Sequence, residues 1–292
     1  MEWTIAKLIA WAGEYFSDKG IASPRLDAEL LLAKSLNRSR VQLYTHFDQP
    51  LTETELAAFK ELVKRRIARE PLAYIVGEKE FFSLRFQVGP EVLIPRPETE
   101  ELVERGLEFL KNSPQEKPTL LDLATGSGCI LLALLKNLPS ASGLGVDASA
   151  AALERARQNS EALQVAERCQ WLEADLCEAW PQALSGPFDL ITANLPYVSE
   201  EEWLDLEPEL KEFEPKSALV PGPSGLEAFA WVLPQLESRL RDSGICLLEI
   251  GMSQAEAVLE QARTSCPALQ GKVHLDLSGR PRILAFTRIQ AA

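Results

Sequence analysis

The sequence is poor in the residues that usually announce a metal or a disulfide framework. Only two histidines are present, His46 and His274, and the five cysteines include no Cys-x-x-Cys pair. An odd thiol count without paired spacing argues against a zinc site and against a disulfide scaffold, so no metal is expected. No stretch reaches the ~18 consecutive apolar residues of a membrane span. Glu2 stands where a secretory leader carries basic residues. A cytoplasmic protein without membrane contact is expected. Positive charge is short as well: 30 Lys and Arg against 43 Asp and Glu leave the 292-residue chain at −13. A surface that neutralises phosphates along a nucleic acid has the opposite balance, so no stable nucleic-acid binding is expected.

What is present is a globular composition, with 46% hydrophobic and 25% charged residues, and a length that suits two domains. Residues 1–77 carry 11 basic and 10 acidic side chains, so the net negative charge lies entirely beyond them. Apolar residues at helical spacing (Ile5, Leu8, Ile9, Ala12, Phe16), an N-capping Ser23-Pro24, and a Thr52/Glu55 capping box make this first block helical. Residues 78–95 alternate through Phe82, Leu84, Phe86 and Val88, which predicts a β-hairpin turning at Gly89-Pro90. A helix is expected over 98–112. From Thr119 strands and helices alternate, which implies a parallel sheet with helices on both faces. The last two strand-like runs are separated only by Ser278-Gly279-Arg280-Pro281, so they must pair antiparallel.

The run Asp122-Leu-Ala-Thr-Gly-Ser-Gly128 follows the first of these strands and opens a helix. A dinucleotide fingerprint would need glycine at position 131, which is leucine, and a Walker loop would need Gly-Lys-Ser/Thr. Neither fits. Asp147 ends the second strand, where a carboxylate can accept bonds from both ribose hydroxyls, and Asp175 ends the third. Singly, the loop is also a tight turn and each acid a helix cap; together they occupy the ligand-binding edge of a doubly wound sheet. The pattern resembles the class I S-adenosylmethionine-dependent methyltransferases over about 119–292. That fold is a Rossmann-like α/β domain whose seven-stranded sheet ends in an antiparallel hairpin.

Asn194-Leu195-Pro196-Tyr197 follows the fourth strand and resembles the Asn-Pro-Pro-Tyr motif of methyltransferases that modify planar nitrogens. An amide nitrogen is a poor nucleophile because its lone pair is delocalised. Two acceptors facing its hydrogens, the Asn194 side-chain oxygen and the Leu195 carbonyl, would orient it. Pro196 restricts Leu195 to extended geometry. Tyr197 could pack on the planar group. An Asn-x-Pro turn with a core tyrosine is the plainer reading of the same tetrapeptide.

Asn-Leu-Pro-Tyr also occurs in RNA adenine dimethyltransferases, but those place their helical domain after the catalytic one. The segment REPLAYIVGEKEFFSLRFQVGPEVLIPRPETEELVE (69–104), with DLATGSGCI, ANLPYVS, EFEPKSALVPGPSGLEAF and LLEIGMSQ, closely resembles the PrmC/HemK family, the release-factor glutamine methyltransferases. A sister group that acts on a ribosomal-protein glutamine has a Pro-Arg-Ser-Pro type of linker instead of Arg96-Pro97-Glu98-Thr99-Glu100. The resemblance implies a helical substrate-recognition domain (1–77), a hairpin linker (78–95) and a catalytic domain (96–292). It implies S-adenosylmethionine as cofactor, class-1 peptide chain release factors as protein substrate, and a monomer. The glutamine of their Gly-Gly-Gln loop would be methylated on its side-chain nitrogen. Asn194, Leu195, Pro196 and Tyr197 would hold that glutamine, with Asn194, Pro196 and Tyr197 as the catalytic residues. Asp147 would bind ribose, and Asp175 the adenine amino group with Leu176 beside it. Ala124, Thr125, Gly126, Ser127 and Gly128 would hold the methionine portion, and Asp122 and Asn194 would also belong to the cofactor site. Ala124 and Leu176 depart from the usual glycine and aromatic, and alanine suits position 124 if φ there is negative. Three other readings stay open: an RNA or DNA amine methyltransferase, a ribosomal-protein glutamine methyltransferase, and an inactive cofactor-binding protein. Cys129 reads as packing. Glu200-Glu201-Glu202 reads as a solvated helix start, and Lys64, Arg65, Arg66 and Arg69 as a solvated helix face.

Overall fold

Thr4 accepts a hydrogen bond from the Lys7 N–H and opens the first helix of the computed structural model, which describes residues 2–178, 180–276 and 278–289. The chain forms two compact units. One comprises Met1–Glu78 with Glu207–Phe213, the other Lys79–Leu206 with Glu214–Ala292.

The first unit contains α1 (Ile5–Asp18), α2 (Pro24–Leu36), α3 (Arg40–Thr45), α4 (Glu53–Ile67) and α5 (Leu72–Val76). The apolar stripe of α1 is wholly buried and meets Leu31, Leu32, Phe59 and Val63 in one core. Pro24 takes the first helical position of α2, but Ser23 makes no side-chain cap bond. The capping box of α4 is present as expected. Arg66 corrects the expectation of a solvated basic face. It is 8% exposed and donates to Asp27 Oδ2 at 2.7 Å and to Glu209 Oε1 at 3.4 Å. Arg69 reaches the same Glu209 oxygen at 3.3 Å. A buried guanidinium needs carboxylate partners, and Glu209 lies 143 positions further along the chain. Lys64 and Arg65 pair with Glu61 and Glu70 on the exposed side.

The second unit begins within β1 (Glu78–Phe81), which β2 (Leu84–Gln87) follows. Their hairpin turns at Phe82-Ser83, both with positive φ (50° and 58°), not at Gly89-Pro90. Two central residues with positive φ match the twist of the flanking strands. The Phe82 N–H donates to Glu100 Oε1 at 2.8 Å, which anchors an uncommon backbone geometry. Gly89-Pro90 makes a separate turn further on, where the Val92 N–H meets the Gly89 carbonyl at 3.1 Å.

After α6 (Glu100–Lys111) come β3 (Thr119–Leu123), α7 (Cys129–Asn137), β4 (Ser142–Asp147), α8 (Ala150–Ala162), β5 (Cys169–Glu173) and β6 (Phe188–Ala193). Then follow α9 (Glu200–Asp205), α10 (Pro208–Phe213, part of the first unit), α11 (Glu227–Arg239), β7 (Leu240–Glu249), α12 (Ala255–Ser265), β8 (Leu269–Leu275) and β9 (Pro281–Arg288). The strand order is β5-β4-β3-β6-β7-β9-β8, with β9 antiparallel to both neighbours and the other pairs parallel. Every residue of β6 is buried, as a strand covered on both faces requires. Leu102, Val103, Leu131 and Leu134 pack with Phe81 and Phe86 in one core. Phe229, Val232, Leu236 and Val258 pack in another. Ser199 and Glu202 close a capping box on α9, so the acidic run does begin a helix.

Candidate active site

The C-terminal ends of the five parallel strands lie along one edge of the sheet, and each carries a polar side chain at or within two residues of its end. These are Asp122, Asp147, Asp175, Asn194 and Glu249. Beside them lies a cavity of about 440 Å³, within the range of small-molecule sites.

Ala124, Gly126, Asp147, Asp175, Leu176 and Asn194 line this cavity, as do Leu195 and Pro196. Asp122, Thr125, Ser127, Gly128 and Tyr197 do not. Asp122 is fully buried between β4 and β6. It accepts from the hydroxyls of Thr125 (2.6 Å) and Thr192 (2.7 Å), so it shapes the loop from beneath. Burial raises its carboxyl to about 6, against the lowering effect of the two hydroxyls. Gly128 starts α7 at φ +79°, and a Cβ there would press on Ala156 and Trp171, each at 3.2 Å. Its requirement is close packing. Gly126 differs: its φ is +54° and a Cβ would meet nothing within 4 Å, so the loop leaves open space beside the cavity. Ala124 has φ +53°. The condition under which alanine suits this position, a negative φ, is not met, and an alanine carries a conformation that favours glycine.

Asp147 is held from both sides, its Oδ2 by the Gly126 N–H (2.9 Å) and its Oδ1 by the Ser149 N–H (3.0 Å). Each carboxylate oxygen can accept a second bond, so capacity for two hydroxyls remains. Asp175 stands exposed, with Oδ1 accepting from the Cys177 N–H at 3.0 Å. That region also contains Ala179, which lies outside the described residues. Burial pushes the Cys129 thiol up to about 12, which fits its packing role.

At the end of β6 the Asn194 Nδ2 donates to Thr99 Oγ1 (3.1 Å), and that hydroxyl donates to Glu249 Oε2 (2.7 Å). Among the described residues no protein donor reaches Asn194 Oδ1. Leu195 turns its side chain into the main core. Tyr197, expected against the substrate group, sits behind it: its ring packs on that core, and its hydroxyl donates to Glu249 Oε1 at 3.3 Å. Burial and the Glu249 charge hold the phenol well above its ordinary range, so it keeps its proton. Glu249 is 2% exposed, and burial raises its carboxyl while Thr99, Arg282 and Tyr197 oppose the rise.

Sequence reasoning assigned no role to several residues that fix this geometry. Gln254 donates to the carbonyls of Tyr197 (2.8 Å) and Gly225 (3.2 Å). Glu214 accepts from the Ile94 N–H (3.0 Å) and from Arg96 (2.5 Å), tying the Arg-Pro segment to the chain leading into Pro215 at the cavity. Asn159 staples Ser127 to β2 through both ends of its amide. Glu249 ends a strand as Asp147 does, and that shared position was the available signal.

A family model for the PrmC N-terminal domain matches residues 7–77, and one for a methyltransferase domain matches residues 120–213. The release factor glutamine methyltransferase of Rhodopirellula baltica is 39% identical over 98% of this chain and 97% of its own length. That of Geobacter sulfurreducens is 42% identical over 88% of this chain and 87% of its own. The crystal structure of the hMettl16 catalytic domain in complex with MAT2A 3'UTR hairpin 6 matches with a TM-score of 0.57 at 16% identity, covering 77% of this chain and 82% of that one. At that identity it shares the fold only. The seven-stranded sheet and its loop-lined edge are those of a class I S-adenosylmethionine-dependent methyltransferase. Similarity over nearly the full length narrows the class. The chain belongs to the release factor glutamine methyltransferase family.

Proposed function

We propose that this protein methylates the side-chain amide nitrogen of the glutamine in the Gly-Gly-Gln loop of class-1 peptide chain release factors, in the cytoplasm, with S-adenosylmethionine as donor. The observation that carries the reading is Asn194, on the cavity at the end of β6, with its Nδ2 committed to Thr99 and its Oδ1 without a protein donor among the described residues. The residues present suit the donor. Gly126 leaves unfilled space, and Asp147 retains acceptor capacity for ribose hydroxyls. Asp175 and Leu176 would border the adenine, and the Ala124–Gly126 turn the methionine portion. When bound, the donor supplies an electrophilic methyl on sulfur.

The chain's own work is orientation. Asn194 Oδ1 and the Leu195 carbonyl would accept the two amide hydrogens, drawing electron density onto nitrogen and favouring its pyramidal form. Held in line with the methyl, the nitrogen reacts with the advantage of proximity. No base of low pKa is required, because the nitrogen becomes strongly acidic once methylated. Pro196 fixes the direction of the Leu195 carbonyl. The test is transfer from methyl-labelled donor to three acceptors: a purified class-1 release factor, the same factor with the loop glutamine replaced by alanine, and total RNA. Label in the first alone is expected. Label in RNA, or equal label in both factors, overturns the reading.

A further inference from the structure

An asparagine amide is nearly symmetric in shape, so its oxygen faces the cavity only if something distinguishes its two ends. The residues behind Asn194 supply that distinction. Glu249 ends β7, is 2% exposed, and in its ionised form can only accept. Its Oε2 lies 2.7 Å from the hydroxyl of Thr99, itself 2% exposed. Thr99 has one proton, and a carboxylate at that distance takes it. The remaining lone pairs of Thr99 Oγ1 can only accept, and the group they face at 3.1 Å is the Asn194 side chain. An amide turned the other way would set its oxygen against a lone pair. The Tyr197 hydroxyl occupies the second carboxylate oxygen at 3.3 Å; burial raises the Glu249 carboxyl, while the bonds from Thr99 and Tyr197 and the Arg282 charge oppose that rise.

We propose that Glu249 and Thr99 are positioning residues. Together they form a one-directional hydrogen-bond relay that aims the Asn194 oxygen at the substrate amide and turns its NH₂ away. An NH₂ facing the cavity would meet the substrate's own NH₂, donor against donor. The relay gives the Thr99 of the Arg96–Glu100 segment a task in the reaction although it does not line the cavity. It also explains why a buried carboxylate, costly to keep dry, stands at the end of β7. The inference rests on the proposed role of Asn194.

The experiment is a double-mutant cycle on the full chain with an intact release factor. Thr99→Val keeps the shape of the side chain and removes the hydroxyl. It should lower kcat by about tenfold, the scale of one lost hydrogen bond, with KM and affinity for S-adenosylhomocysteine within about twofold. Thr99→Ser should restore kcat. Glu249→Gln can present either end to Thr99 and should show the same kcat loss. The discriminating result is non-additivity: Thr99→Val should add nothing to Asn194→Ala, because a relay without its terminal amide has nothing to aim. Full additivity, or failure of serine to rescue, makes Thr99 a merely structural residue and overturns the relay. If Asn194→Ala alone keeps wild-type turnover, the underlying role of Asn194 fails instead. Thermal unfolding of each variant identifies loss of fold, and if Thr99→Val does not fold, the cycle is read from Glu249→Gln.

Discussion

At position 124 the backbone holds φ at +53° with an alanine. A Cβ in this region costs about 1–2 kcal/mol, whereas glycine forfeits about 0.5–1 kcal/mol of chain entropy on folding. Ala124→Gly is therefore expected to stabilise the protein by about 0.5–1 kcal/mol; a urea midpoint below that of the wild type would contradict this. Asp147 combines loop support with proposed ribose binding. Asp147→Ala should weaken S-adenosylhomocysteine binding by about 1.5–3 kcal/mol, read by calorimetric titration. An unchanged dissociation constant would leave it a loop support only. Asp122 sets a pH dependence. Burial raises its folded carboxyl from the ordinary 3.8 to about 6, so its contribution to stability is complete below the lower value and is lost as pH rises through the upper. Relative to Asp122→Asn, which does not titrate, the wild type should lose on the order of 1–3 kcal/mol between about pH 4 and pH 7. A pH-independent difference would mean that the burial does not perturb Asp122. The sequence made the identity of these acids legible. It did not reveal that Asp122 faces Thr125 and Thr192 rather than the cavity, because that depends on which side of β3 is covered. The sign of φ at 124 is likewise set by the loop's closure and not by its residues.

Among the elements, the strand–helix alternation and the antiparallel end of the sheet were readable from period and spacing. The β1–β2 hairpin shows the limit. Phe82-Ser83 carries neither glycine nor proline, whereas Gly89-Pro90 carries both, so local chemistry pointed to the wrong place. The anchor at Phe82 comes from Glu100 in α6, beyond the range of local patterning. Arg66 was misread for the same reason: its partner Glu209 belongs to a short helix remote in sequence. That pairing makes α10 part of the helical unit and yields a contrast between neighbours. Arg66→Met leaves Asp27 unpaired and Glu209 with Arg69 alone, and should destabilise by roughly 3–5 kcal/mol. Lys64→Met on the exposed face should change stability by less than about 0.5 kcal/mol. Equal midpoints for the two variants in denaturant would show that the buried pairing contributes nothing.

For the molecule as a whole, the excess of negative charge lies beyond residue 77 and the chain forms two compact units. All the residues assigned to the reaction lie in the second unit. We propose that the first recognises the folded release factor, since ordering a flexible substrate loop costs binding free energy that a second contact offsets. Removing residues 1–77 while replacing 207–213 with a Gly-Ser linker should lower kcat/KM on the intact factor far more than on a short Gly-Gly-Gln peptide, provided the remainder folds and binds cofactor. Equal losses would make the helical unit a support.

The central claim is that Asn194 orients an otherwise inert amide nitrogen without holding the cofactor. The most direct test is the single-turnover rate of methyl transfer to an intact release factor in Asn194→Ala, at saturating donor and acceptor. The account predicts a fall of roughly 10²–10³ with S-adenosylhomocysteine affinity within a few-fold of wild type. A rate close to wild type in a folded variant would contradict it.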